Sequence, residues 1–116
     1  MCFLQCLPNS LFICNYTSFL LQLFGNKGEN MKACVLASSS KGNCTYIGSE
    51  TTNILIDAGI SVKDIEYKLG LLRVNPENIS AILITHEHSD HIKSVCNFTK
   101  KHKSCFIYVH KNTYEA

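Results

Sequence analysis

The sequence has no pair of cysteines at CxxC spacing, although it holds seven cysteines. A zinc ribbon or a thioredoxin-like redox pair needs that spacing, so neither has support. The number is odd, and Cys2, Cys6, Cys14, Cys34, Cys44, Cys96 and Cys105 lack the tight spacings of a secreted disulfide scaffold. Cys34, Cys44, Cys96 and Cys105 lie in or beside apolar runs, where free cysteine behaves as a small hydrophobe. Reduced thiols in a cytoplasmic protein are therefore expected. An excess of one charge is also lacking: a net +2 with 17% charged residues gives no field that would hold a polyanion by charge alone. No uninterrupted apolar run reaches the roughly 18 residues of a membrane span, so no stable membrane partner is expected. The apolar stretch 11–24 is broken by Asn15, Thr17, Ser18 and Gln22, and the first cation, Lys27, follows it, whereas a signal peptide carries its positive charge first. What is present is a 46% hydrophobic chain of 116 residues, enough for about one domain and too apolar for whole-chain disorder.

The composition shifts near residue 30. Four of the six phenylalanines and three of the seven cysteines fall in residues 1–30, and Gly25 to Asn30 reads as a turn or linker. A regular strand pattern begins just after Met31. The expected organisation is an apolar extension over 1–30, read as sequence upstream of a start at Met31, followed by a domain over 31–116.

From Met31 onward the pattern predicts strands over Lys32–Ala37, Cys44–Ile47 and Thr52–Ile56, with a small-residue turn at Ser38–Asn43 and a hairpin turn at Gly48–Thr51. Ser61 is placed to cap a helix from Val62 to Leu69, with Gly70 as its stop. Asn75–Asn78 is a second break. Ala81–Thr85 is apolar at consecutive positions, as a strand covered on both faces would be. A single helix from Ser89 or Asp90 to Lys101 should follow, burying Ile92, Val95, Cys96 and Thr99 and leaving Lys93, Lys100, Lys101 and Lys103 in water. Cys105–Val109 is the last strand, His110 reads as a strand-end residue, and Asn112 would cap a further helix. Strands alternating with helices predict an α/β protein.

Chemistry is concentrated in Thr85-His86-Glu87-His88-Ser89-Asp90-His91, where a buried strand gives way to a helix. In an extended segment alternate residues point the same way, so His86 and His88 project together and Glu87 points away. Asp90 and His91 follow in the first helical turn. The carboxyl end of a buried strand is where open α/β sheets keep their ligand sites. Imidazole and carboxylate are ligands for zinc and similar divalent ions. Four such residues cannot all hold one tetrahedral ion and leave a place for water. A split solves this, with His86 and His88 on one ion and Asp90 and His91 on another, the two ions about 3.5–4 Å apart. Zinc suits the histidine-rich set, and manganese or iron also accept it. The competing reading is a group of histidines that bind no metal, yet only His102 and His110 lie outside this cluster.

These residues resemble the metallo-β-lactamase fold superfamily, whose signature is HxHxDH after a strand. Within it the chain is similar to the YycJ/WalJ-type subgroup, associated with nuclease action on DNA. The resemblance rests on the HxHxDH stretch, on Leu36–Ile47 and on Ile54–Gly59, and covers none of residues 1–30. It implies the N-terminal half of an αβ/βα sandwich, a mixed sheet with flanking helices, and a two-metal hydrolase whose substrate is nucleic acid. It assigns His86 and His88 to the first metal and Asp90 and His91 to the second, with Asp90 also orienting or deprotonating the attacking water. It places Asp57 behind the ligands, where a carboxylate fixes the tautomer of a ligand imidazole. It matches Ser38, Ser39, Ser40 and Asn43 to a small-residue loop that would approach substrate, although a plain turn explains them as well. The family's remaining ligands come later than Ala116, so an incomplete domain is expected, with the second face of the sheet uncovered. A different class of reading is a non-catalytic remnant or a small metal-binding or interaction module; among enzymes, thioester or other ester hydrolysis stays open. Nothing in the sequence specifies an oligomeric state.

Overall fold

The structure is a computed structural model, and it describes residues 31–110 and the backbone of Leu11–Ile13. The rest of the expected 1–30 extension, and the helix expected to begin at Asn112, lie outside the described residues. The elements in chain order are β1 (Leu11–Ile13), β2 (Lys32–Ser39), β3 (Gly42–Gly48), β4 (Asn53–Ile56), α1 (Val62–Leu71), a single 3-10 turn (Pro76–Asn78), β5 (Ile79–Ile84), α2 (Ser89–Ile92), α3 (Val95–Lys101) and β6 (Phe106–Val109). The strands form one mixed sheet in the order β1-β6-β5-β4-β3-β2. β4, β5, β6 and β1 run parallel, and β3 and β2 are added antiparallel at the other edge.

The α/β expectation holds, and each strand has a local reason. β2 and β3 meet in a tight hairpin in which Ser39 pairs with Gly42, so the turn is only Ser40-Lys41 and the expected six-residue loop is mostly strand. A bulge between Val35 and Ala37 turns Leu36 inward, and the Lys68 ammonium donates to its carbonyl at 2.6 Å. The β3–β4 hairpin turns at Ser49–Thr52, one residue later than the expected Gly48–Thr51, and is closed by a 2.7 Å backbone bond from Ser49 to Thr52.

The helices cover one face of the sheet. Leu55, Ile82, Ile84, Ile107 and Val109 pack there against Ile65 and Leu69 of α1 and Val95 and Phe98 of α3. Ser61 caps α1 as expected, its hydroxyl accepting from the Asp64 amide at 3.1 Å. The stop is not Gly70. The helix runs through it to Leu71, and the left-handed residue is Arg73, with φ 60°. Its amide bonds the Gly70 carbonyl at 3.0 Å and that of Val74 bonds the Leu69 carbonyl at 2.9 Å, the paired bonds of a Schellman ending. A non-glycine residue held left-handed costs roughly 1–2 kcal/mol. Arg73→Gly is therefore expected to stabilise the chain by about 1 kcal/mol, measured by urea unfolding. A loss of stability would mean that the Arg73 side chain contributes more than its backbone costs.

The helix expected over 89–101 is broken in two. The Ser94 amide bonds the Ala58 carbonyl at 2.8 Å and the Ser94 hydroxyl donates to Ile60, so the loop after β4 takes the groups that would continue the ladder. The break rotates α3: Val95 is buried as expected, Phe98 is fully buried, and Ile92, Cys96 and Thr99 are only half-buried. Lys93, Lys100, Lys101 and Lys103 are exposed as expected. The other sheet face is not left open at its centre, because Ile54, Ala81 and Leu83 are buried, packed with Ile47, Ile56 and Tyr108.

Cys34, Cys44 and Cys105 are free thiols, as expected, whereas Cys96 is disulfide-bonded. His102 is buried between two carboxylates, with Nδ1 2.5 Å from Glu77 and Nε2 2.8 Å from Glu66, tying α3 to α1 and the 3-10 turn. Burial pushes the Glu66 carboxyl up, but the hydrogen bonds from Lys101 and His102 outweigh it and hold it below its usual range. Among the described residues no helix is long and apolar enough to cross a membrane.

Candidate metal centre

The parallel pair β4 and β5 ends at the same level, Ile56 beside Leu83, so the residues that follow both strands share one rim of the sheet. After β4 the chain turns sharply at Asp57, which is left-handed with φ 63° and buried. Its amide donates to the Leu83 carbonyl at 2.8 Å. The turn directs its carboxylate into the space where β5 hands over to α2. There Oδ1 accepts from the Thr85 amide at 2.8 Å, and Oδ2 accepts from the Thr85 hydroxyl at 2.7 Å and from His91 Nδ1 at 2.6 Å.

A carboxylate accepts only, so His91 carries a proton on Nδ1, and in the neutral imidazole the lone pair is then on Nε2. That Nε2 lies 3.5 Å from Asp90 Oδ2. Two donors on one tetrahedral ion, each about 2.0–2.1 Å from it, stand roughly 3.4 Å apart, so this pair has the spacing of two ligands on one ion. The other imidazoles gather beside it. The His86 ring centroid is 3.8 Å from that of His91 and 4.6 Å from that of His88, the latter pair edge to face. The alternation argument thus describes His86 and His88 correctly. Among the described residues no three His, Cys, Asp or Glu side chains are arranged to hold one ion. The cluster therefore offers donors in pairs and does not form a closed cage.

Asn43 is part of this site in a way the sequence reading did not foresee. Its side-chain amide donates to Asp90 Oδ2 at 3.1 Å and to the Ser39 carbonyl at 2.9 Å, while its backbone carbonyl accepts from Gly59 at 2.9 Å. It thus braces Asp90 from the β2–β3 hairpin. Ser38, Ser39 and Ser40 are exposed on that hairpin, and the Ser39 hydroxyl accepts from the Lys41 amide at 3.1 Å. Thr85, quoted within the motif but given no role from sequence, proves central, because its amide and hydroxyl both serve Asp57. The signal was its place directly before His86. Cys44 lies close to the site, but burial and the Asp57 charge push its thiol up to about 12, so it stays a neutral thiol and a poor ligand. His110 follows β6 and is exposed.

Comparison with known proteins adds three findings. A profile described as the metallo-beta-lactamase superfamily matches residues 39–116. Exodeoxyribonuclease WalJ of Streptococcus pneumoniae serotype 2 is 41% identical over 85 residues, covering 73% of this chain and 31% of that protein. Exodeoxyribonuclease YycJ of Bacillus anthracis is 40% identical over 82 residues, covering 71% and 31%. The chain thus spans less than a third of the length of these curated relatives. Among solved structures, Rm3 metallo-beta-lactamase superposes with a TM-score of 0.56 at 25% identity, covering 73% of this chain and 29% of that one.

Proposed function

Because the chain belongs to the metallo-beta-lactamase superfamily, we propose that it carries one half of the site of a metal-dependent hydrolase that cleaves phosphodiester bonds in nucleic acid. The observation that carries this reading is the Asp57–His91–Asp90 array, with a fixed imidazole lone pair and a carboxylate oxygen 3.5 Å apart beside two more imidazoles. His86 and His88 would hold one divalent ion and Asp90 and His91 a second, with zinc fitting the set and manganese or iron as alternatives. When bound, such ions supply Lewis acidity and lower the pKa of a water. Asp90 would also orient the attacking water or accept its proton, Asn43 holds the Asp90 carboxylate, and Asp57 would keep His91 in the ligating tautomer. Ser38, Ser39 and Ser40 lie on the same hairpin as Asn43 and are proposed to border the substrate path. The nucleic-acid substrate is suggested by the two exodeoxyribonuclease relatives. The cytoplasm is the proposed location, where the Cys96 disulfide would be transient.

A second reading is a non-catalytic metal-binding module, favoured by the absence of any three converging donors among the described residues. A nuclease assay on linear DNA separates the two. With the site completed by its other half, the hydrolase reading predicts nucleotide release that requires a divalent ion and falls by at least about 100-fold in His88→Ala. A folded, metal-loaded protein that carries both halves and releases nothing, or releases as much in His88→Ala, would favour the module.

A further inference from the structure

We propose that Thr85 is a positioning residue whose hydroxyl relays the acceptor demand of Asp57 to His86, fixing that imidazole with its proton on Nδ1 and its lone pair on Nε2. The argument is a count of protons. The Thr85 hydroxyl has one hydrogen, and its best acceptor is the buried Asp57 carboxylate, 2.7 Å away. Its remaining capacity is to accept, and His86 Nδ1 stands 2.9 Å from the same oxygen, nearer than His91 Nδ1 at 3.4 Å, whose proton goes to Asp57 at 2.6 Å. Nδ1 must then be the donor. A hydroxyl that both donates and accepts has fixed the tautomer of its neighbour.

Asp57 consequently governs two imidazoles: His91 directly at 2.6 Å, and His86 at second hand through Thr85. The rings of those two histidines are 3.8 Å apart between centroids. Both therefore offer Nε2 from adjacent positions, although histidine in water prefers the opposite tautomer. Thr85 is also well held for the task. Its amide is tied to Asp57 Oδ1 at 2.8 Å, so its backbone cannot drift away from the carboxylate that its hydroxyl serves. A threonine that only closed the end of β5 would need the bonds to Asp57 and would have no bearing on the tautomer of His86.

The use of this tautomer rests on the reading of His86 as a metal ligand, but the tautomer itself is read without metal. The test takes the full 116-residue chain, labelled with 15N in histidine and stripped of metal, and records two-bond 1H–15N correlations with the imidazoles neutral. Wild type is expected to show Nδ1–H for both His86 and His91. Thr85→Val keeps the shape and removes the hydroxyl, so His86 should move to Nε2–H while His91 stays Nδ1–H, and Thr85→Ser should restore the wild-type pattern. The unchanged His91 signal reports that the fold is intact. Nε2–H at His86 in wild type overturns the proposal whether or not any variant folds, and so does Nδ1–H at His86 in folded Thr85→Val. Zinc titration of the same three proteins should show affinity about 10–100-fold weaker in Thr85→Val only. Failure of wild type to bind zinc would count against the hydrolase reading and leave the tautomer result standing.

Discussion

Gly59→Ala is expected to destabilise the chain by at least about 3 kcal/mol and to lower its Tm by more than about 10 °C. A Cβ at residue 59 would overlap the Asp90 carbonyl and lie 2.8 Å from the Asn43 amide nitrogen, both of them backbone. Side chains can swing away from an added methyl, but these groups cannot. The Asn43 carbonyl accepts from Gly59, the Ala58 amide bonds the His91 carbonyl at 2.8 Å, and Ser94 bonds Ala58, so the loop after β4 is laced to both β3 and α2. Gly42 is pinned from the other side, since a Cβ there would lie 2.5 Å from the Gly59 carbonyl oxygen. Relief requires moving α2, and with it Asp90 and His91. Against a total stability of about 5–15 kcal/mol for an ordinary domain, the loss is severe. Thermal unfolding followed by circular dichroism reads it. A wild-type Tm would show that the loop after β4 does not press on Asp90 as described.

Replacing Asp57 is expected to separate its two roles. In Asp57→Asn the backbone is spared, because asparagine tolerates the left-handed conformation at φ 63°. The charge and one acceptor are lost, however, and an NH2 group must face either the Thr85 amide or the Thr85 hydroxyl and His91 together. Metal affinity should fall about 10–100-fold with only a modest loss of stability. Asp57→Ala adds a strained backbone, an unsatisfied Thr85 amide and an unpartnered His91 Nδ1–H, which together should cost about 2–4 kcal/mol. Isothermal titration with zinc and urea unfolding measure the two effects. Equal metal affinity in wild type and Asp57→Asn would refute the tautomer role.

The sequence carried the site's donors more clearly than their supports. The end of β5 and the spacing of His86, His88, Asp90 and His91 were legible because a run of buried β-branched and aliphatic residues stops at a cluster of ligand-type side chains. Ser61 and the Gly48–Thr51 turn were legible because caps and hairpin turns are local. The break at Lys93–Ser94 was not, since its cause is the carbonyl of Ala58, 36 positions earlier in the chain. The same break explains why Phe98, and not Cys96 or Thr99, fills the core. Gly70 misled because a glycine near a helix end usually marks the stop, and here the Schellman bonds fall three residues later, on Arg73. His102 escaped notice because its partners Glu66 and Glu77 are distant in sequence. Asn43 was singled out for substrate, yet its amide is engaged by Asp90, a contact between residues 47 positions apart.

The central claim is that the cluster after β5 is a divalent metal site. Elemental analysis of the purified chain after zinc loading and dialysis tests it most directly, with His86→Ala and Asp90→Asn beside wild type. The account predicts bound zinc in wild type, up to two ions per chain on the two donor pairs, with less zinc retained in each variant. A folded wild-type chain that retains no zinc, or variants that retain as much as wild type, would contradict it.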